Sequence, residues 1–280
     1  MRVNRNHEVH SDKRGRPDSM LKAVLFDLDN TLIFFDEKVF FERYMRALAP
    51  VFSDLWPFES FQKRMIESVQ SLLQNDGSAT NAVRFLESFS RGCEERAGEL
   101  WDRFVRFYDT EFDQFRTLVH APGGIRGVFQ ELRDRNVKLV VASNPLWPLS
   151  VQRKRLEWAG LGGFPFDLIT AIEGSSFCKP KIEYYLEICR ALGIGPESCL
   201  MVGNDTVNDM VVSKIGMKTF LLLDTKADEN LSLSRELRKH EAGESFKPDF
   251  QGSLADVSAV VREQNRGGRG DSSGTAKQPW

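Results

Sequence analysis

Residues 23–32 read Ala23-Val24-Leu25-Phe26-Asp27-Leu28-Asp29-Asn30-Thr31-Leu32. The apolar run from Ala23 to Phe26 predicts a short buried strand, and two carboxylates follow at its C-terminal end. Side chains at i and i+2 of an extended chain point the same way, so Asp27 and Asp29 are expected to share one crevice. In open α/β sheets that crevice, beyond the carboxyl ends of the strands, is where ligands bind. Two like charges so close are costly unless a cation or a proton compensates them.

Three later stretches carry chemistry of the same kind. Lys138-Leu139-Val140-Val141-Ala142-Ser143-Asn144 is a β-branched apolar run ending in a hydroxyl, which predicts a buried strand running into a turn at Asn144-Pro145. A hydroxyl there can donate to a phosphoryl oxygen. Phe177-Cys178-Lys179-Pro180-Lys181 precedes a predicted helix whose apolar residues Ile182, Tyr185, Leu186 and Cys189 recur at i, i+3, i+4 and i+7. Pro180 suits the first position of that helix. Leu200-Met201-Val202-Gly203-Asn204-Asp205-Thr206-Val207-Asn208-Asp209 is a strand ending at a glycine, followed by aspartates four apart across a helix start.

In this order, the four stretches resemble the signature motifs of the haloacid dehalogenase-like (HAD) hydrolase superfamily. Asp27-Leu28-Asp29-Asn30-Thr31 resembles D-x-D-x-[TV], and Ser143 resembles the hydroxyl that closes the second motif. Lys179 resembles the third-motif lysine, with Lys181 the competing assignment. Asp205 and Asp209 resemble the acidic fourth motif, with Asn204 inserted after the glycine. The resemblance implies that Asp27 attacks phosphorus and forms an aspartyl phosphate. It also implies Mg²⁺ held by Asp27, the main-chain carbonyl of Asp29, and Asp205, with Asp209 acting directly or through water. Ser143, Asn144 and Lys179 then bind the phosphoryl oxygens. Asp29 acts as general acid and base, with a pKa raised by the neighbouring carboxylates. An aspartate at position 29 disfavours dehalogenation, because the dehalogenases of this superfamily lack one there.

Residues 34–118 interrupt the core. Phe40, Tyr44, Ala47 and Leu48, then Phe61, Met65, Val69 and Leu72, then Val83, Leu86 and Phe89, then Leu100, Phe104, Val105 and Tyr108 follow helical spacing. This resembles the all-helical C1 cap of the superfamily. The core comprises 20–33 and 119–263, with a helix over 125–135, Asn136 in the left-handed position at its end, and strands near 137–142, 166–172, 199–203 and 218–223. Strand–helix alternation predicts an α/β fold, a Rossmann-like doubly wound parallel sheet with helices on both faces. Residues 225–247 read as an excursion before a last helix near 254–263, and residues 1–19 and 264–280 as disordered tails.

The chain has 280 residues, 41% hydrophobic and 28% charged, with a net charge of −2. That balance lacks the basic face a general nucleic-acid binder needs. No apolar run approaches a membrane span, and the first 19 residues lack a secretory core. Cys93, Cys178, Cys189 and Cys199 show no C-x-x-C spacing and read as reduced cytoplasmic thiols. The expected activity is Mg²⁺-dependent hydrolysis of a small phosphorylated metabolite. The alternatives are β-phosphoglucomutase-like phosphoryl transfer and a catalytically idle binding protein. Phe34, Phe35, Arg43, Arg46 and Trp147 are candidates for substrate selection; the sequence is silent on oligomeric state.

Overall fold

The computed structural model describes residues 20–223 and 245–267. The expected N-terminal tail lies outside these residues, as does most of the 225–247 excursion and of the C-terminal tail. Six parallel strands form one sheet: β1 (Ala23–Phe26), β2 (Lys138–Val141), β3 (Leu168–Ile169), β4 (Cys199–Gly203), β5 (Lys218–Leu222) and β6 (Phe250–Gly252). Their order is β3-β2-β1-β4-β5-β6. The chain therefore builds outward from β1 on one side, then returns and builds outward on the other. Beside β1 the strand order reverses, the place where such sheets hold ligands.

Alternation along the strands explains the two-sided cover. Val24, Phe26, Leu139, Val141, Leu200 and Val202 belong to one apolar core, with Phe129 and Leu132 of α5 (Ile125–Asp134) and Val257, Val260 and Val261 of the C-terminal helix. Ala23, Leu25, Val140, Cys199 and Met201 face the other way, toward Tyr184, Tyr185 and Ile188 of α7 (Ile182–Leu192). All four residues of β1 are buried on both faces, as a central parallel strand requires.

Several elements differ from their expected form. β3 pairs over two residues only, and β6 is not among the expected strands, because three residues carry too little pattern to read. The C-terminal helix, α8, spans Asp256–Gly267 and so runs past residue 263. There Asn265 accepts from the Leu21 N–H (2.7 Å) and donates to the Leu21 carbonyl (3.0 Å), tying the helix to the entry of β1. Asn136 has φ 59°, the left-handed conformation expected after α5. α7 starts at Ile182 with Lys181 as its N-cap, so Pro180, which follows a cis peptide bond, stands outside it. The buried face of α7 is Tyr184, Tyr185, Ile188, Cys189 and Leu192, rotated from the expected stripe.

The insertion is helical throughout its long elements: α1 (Glu37–Leu48), α2 (Phe58–Leu73), α3 (Asn81–Phe89) and α4 (Ala97–Thr110). Asp36 caps α1 by accepting from the Val39 N–H. The faces of α1 and α2 pack largely as their spacing predicts. Val83 and Val105, however, are exposed, and Phe85 and Phe107 take the buried places on α3 and α4. Aromatic side chains won those positions because each buries more area than a valine. The insertion rests on the loop before α7. The Asn81 and Ala82 N–H groups donate to the Ser175 and Ile172 carbonyls, and Lys181 Nζ donates to the Asn75 carbonyl. α6 (Leu149–Trp158) follows the second motif and completes the cover of that core.

Candidate active site

Parallel pairing brings three strand ends to one level. Phe26 lies opposite Val141 on β2 and Val202 on β4. The Asp27 N–H continues the ladder to the Val202 carbonyl (2.9 Å), and the Ala142 N–H reaches the Phe26 carbonyl (2.7 Å). Asp27, Asn144, Asn204 and Asp205 thus surround one crevice. The chain after Asp27 turns back on itself, with the Leu32 and Ile33 N–H groups donating to the Leu28 carbonyl and Asn30 at φ 55°. This tight loop presents Asp29 to the same cavity as Asp27, as the i, i+2 spacing predicts.

Each aspartate of the first motif meets its own cation. Lys179 Nζ donates to Asp27 Oδ1 and to Asp209 Oδ1, both at 2.7 Å, with its side chain 2% exposed. Burial pulls the ammonium toward its neutral form, but the Asp209 and Asp27 carboxylates outweigh it and hold its pKa well above the usual lysine range. Burial pushes Asp209 up to about 7, against the pull of Lys179. Lys181 points to the insertion instead, so Lys179 is the lysine in the cavity. Asp29 pairs with Arg155 of α6. Its immediate partner is therefore a cation, where neighbouring carboxylates were expected to govern it. Burial lowers the Arg155 guanidinium to about 9, opposed by the Asp27 charge, which leaves it a cation at neutral pH.

The fourth motif is a tight turn ahead of a short 3-10 helix. Asp205 Oδ1 accepts from the N–H groups of Val207 (2.8 Å) and Asn208 (2.9 Å), and its Oδ2 accepts from Asn208 Nδ2 (2.7 Å). Asp209 Oδ2 accepts from the Asp205 N–H (3.1 Å). Asn204, the extra residue of this motif, accepts from Thr31 Oγ1 (3.3 Å) and links the fourth loop to the first. Gly203 lies so close under Asp209 that a Cβ there would collide with the Asp209 carboxylate.

Ser143 Oγ and both amide atoms of Asn144 are buried and make no hydrogen bond to the protein. Buried polar groups are normally satisfied, so the unpaired amide of Asn144, which lines the cavity, marks where a polar ligand fits, whereas Ser143 is fully buried and is not among the lining residues. Asp27, Asp29, Asn144, Lys179, Asp205 and Asp209 line this cavity, whose volume is about 90 Å³. Of the proposed selecting residues, Phe35 and Trp147 also line it, together with Phe40 and Phe41 of α1. Phe34 stacks on His120 instead, Arg46 is paired with Glu42 in solvent, and Arg43 is exposed. Sequence reasoning missed Arg155. The available signal was an arginine four residues after Val151 and beside Leu156, on the apolar face of α6.

The fold thus sets a carboxylate at the end of its central strand and bridges it through a buried lysine to a second acidic loop. A family model described as haloacid dehalogenase-like hydrolase matches residues 21–212, and the chain belongs to that family. It is 26% identical over 199 residues to the pyrophosphatase PpaX of Halalkalibacterium halodurans, covering 71% of this chain and 82% of that one. It is 25% identical over 206 residues to a glyceraldehyde 3-phosphate phosphatase of Methanothermobacter thermautotrophicus, covering 72% and 86%. A HAD phosphatase from Thermococcus onnurineus shares the fold, with a TM-score of 0.51 and 18% identity over 86% of this chain and 98% of that one.

Proposed function

We propose that the protein is a phosphatase that cleaves a small phosphate monoester through an aspartyl phosphate on Asp27, with Mg²⁺ as cofactor. The carrying observation is the placement of Asp27: at the sheet's switch point, bridged by Lys179 to Asp209, beside the unpaired amide of Asn144. The pyrophosphatase and the glyceraldehyde 3-phosphate phosphatase among its relatives support phosphoryl chemistry.

The donor set fits the metal. Asp27, Asp205 and the main-chain carbonyl of Asp29 are hard oxygens, and Mg²⁺ typically takes one or two carboxylates and keeps several waters. Among the described residues no trio of His, Cys, Asp or Glu side chains forms a ready cation cage, so the main-chain carbonyl of Asp29 would be needed beside Asp27 and Asp205 to hold the ion. Bound there, Mg²⁺ supplies the positive charge that lets a carboxylate approach a phosphate dianion. Asp209 accepts from Lys179 and from the Asp205 N–H, so it holds the lysine and the loop and would meet the metal directly or through water.

Asp27 then forms a bond to phosphorus as the leaving oxygen departs, and Asp29, having first taken up a proton from solvent, passes it to that oxygen. Lys179, Ser143 and Asn144 donate to the phosphoryl oxygens where charge accumulates. In the second step Asp29 takes a proton from water as that water releases phosphate from Asp27. The PpaX relatives favour one second reading, a phosphoanhydride such as pyrophosphate as substrate. The test is phosphate release by the full chain with Mg²⁺ against a panel of phosphorylated metabolites and pyrophosphate. Release from at least one member is expected, with an isomerised sugar phosphate the mark of a mutase. Asp27→Asn should abolish release and leave the circular dichroism spectrum unchanged; turnover within tenfold of wild type refutes the nucleophile.

A further inference from the structure

Among the described residues Arg155 is the largest fully buried side chain by volume, at 1% exposure. A buried guanidinium is costly unless it is paired and its donors are satisfied. One of its ends, Nη2, donates to Asp29 Oδ1. The other end, Nη1, donates to Gln152 Oε1 at 3.0 Å, one turn earlier on α6. Gln152, itself fully buried, donates through Nε2 to the Thr170 carbonyl (3.2 Å). Thr170 Oγ1 donates to the Ser143 carbonyl (2.7 Å), which also accepts from Tyr184 Oη (2.7 Å). The guanidinium carbon lies 5.7 Å from the Trp147 ring centre and 6.0 Å from that of Phe35, two walls of the cavity.

A continuous buried chain of contacts therefore runs from Asp29 through Arg155, Gln152 and Thr170 to the loop that carries Ser143. Its fixed end is the sheet and its free end is one carboxylate. A flexible loop carboxylate must be held in a narrow orientation to transfer protons, and a fork-shaped donor clamped at its far end does this better than a solvated ammonium.

We propose that Arg155 is a positioning residue for Asp29, set by Gln152 and Thr170 to the same frame as the phosphoryl-binding loop at Ser143. The proposal rests on the reading of Asp29 as general acid and base. It makes Arg155 act through Asp29 alone, so its removal matters only while that carboxylate is present.

A double-mutant cycle on the full-length protein tests it, with p-nitrophenyl phosphate and glycerol 2-phosphate as probes at saturating Mg²⁺. Arg155→Gln is expected to lower kcat on glycerol 2-phosphate on the order of 10²-fold, the scale of a misplaced reacting group. It should lower kcat less on the aryl ester, whose leaving group needs little protonation, and change KM little on either. In the Asp29→Asn background the same change should alter kcat less than threefold, because effects of groups acting as one unit do not add. Arg155→Lys, which keeps a donor for Asp29, should recover part of the loss. Gln152→Leu, which frees the guanidinium without removing it, should show the same alkyl-over-aryl loss in smaller measure. Thermal unfolding of each variant confirms a folded protein, and if Arg155→Gln does not fold the cycle is run with Arg155→Lys. An additive cycle, or equal losses on both esters, overturns the positioning role and leaves the proposed function standing. Wild-type rates in Asp29→Asn alone overturn the acid–base reading and the proposal with it.

Discussion

Replacing Lys179 by Met keeps the volume of the side chain and deletes one charge. The lysine is 2% exposed and holds two carboxylates at 2.7 Å, Asp27 at 12% and Asp209 at 1% side-chain exposure. Breaking a buried pair by removing one partner costs about 3–5 kcal/mol, because the remaining charge stays buried and unpaired. The remaining charge can escape by taking up a proton. In the wild type, burial already raises Asp209 to about 7 while Lys179 pulls it down. Without the lysine it rises further. A carboxyl whose folded pKa exceeds its unfolded one takes up a proton on folding, so its penalty is fully present at high pH and fades on acidification. The wild-type lysine stays protonated across this range, folded and unfolded, and adds no slope. Wild-type Asp209 already takes up part of a proton on folding near pH 7, and the mutant takes up more over the same range, so the difference between them is worth at most about 1.4 kcal/mol per pH unit. Urea unfolding in EDTA, followed by tryptophan fluorescence, should show Lys179→Met destabilised by about 3–5 kcal/mol at pH 8 and by about 1 kcal/mol less at pH 6. A loss below about 1 kcal/mol at pH 8, or a larger loss at pH 6 than at pH 8, refutes the reasoning.

Two further outcomes are expected. Chelation by EDTA should abolish phosphate release and Mg²⁺ restore it, whereas Ca²⁺ should inhibit, because it takes more oxygen ligands at longer distances and misaligns the Asp27 carboxylate; full activity in chelator refutes the metal assignment. Gly203→Ala should cost about 1–3 kcal/mol by overpacking and lower kcat, because the new methyl displaces the Asp209 carboxylate that Lys179 and the Asp205 N–H hold. Equal melting temperature and kcat in Gly203→Ala and wild type is the refuting result.

Much of the site is legible in the amino-acid sequence itself. Apolar runs at 23–26, 138–141 and 199–203 ending in Asp, Ser and Gly-Asn-Asp identify buried strands with polar ends, since period and composition are local properties of the chain. The chain order of those runs, alternating with helices, is enough to place their ends in one crevice. Helical spacing likewise marks the insertion, and its α1 and α2 faces pack much as that spacing predicts. On α3 and α4 the same spacing points to Val83 and Val105 as core residues, where Phe85 and Phe107 are the buried ones. Periodicity permits neighbouring faces of a helix, and only competition for buried area chooses between them.

What the tertiary structure alone decided is which charges meet. Lys179 and Lys181 stand two residues apart, and only the resemblance to the third motif favours Lys179; the structure brings Lys179 to Asp27 and bonds Lys181 to the Asn75 carbonyl on the insertion. Asp27 and Asp29 look like one acidic pair, but a lysine 152 residues away takes the first and an arginine 126 residues away takes the second. Ion pairing depends on distance in space and on burial, and a pattern of neighbours along the chain records neither.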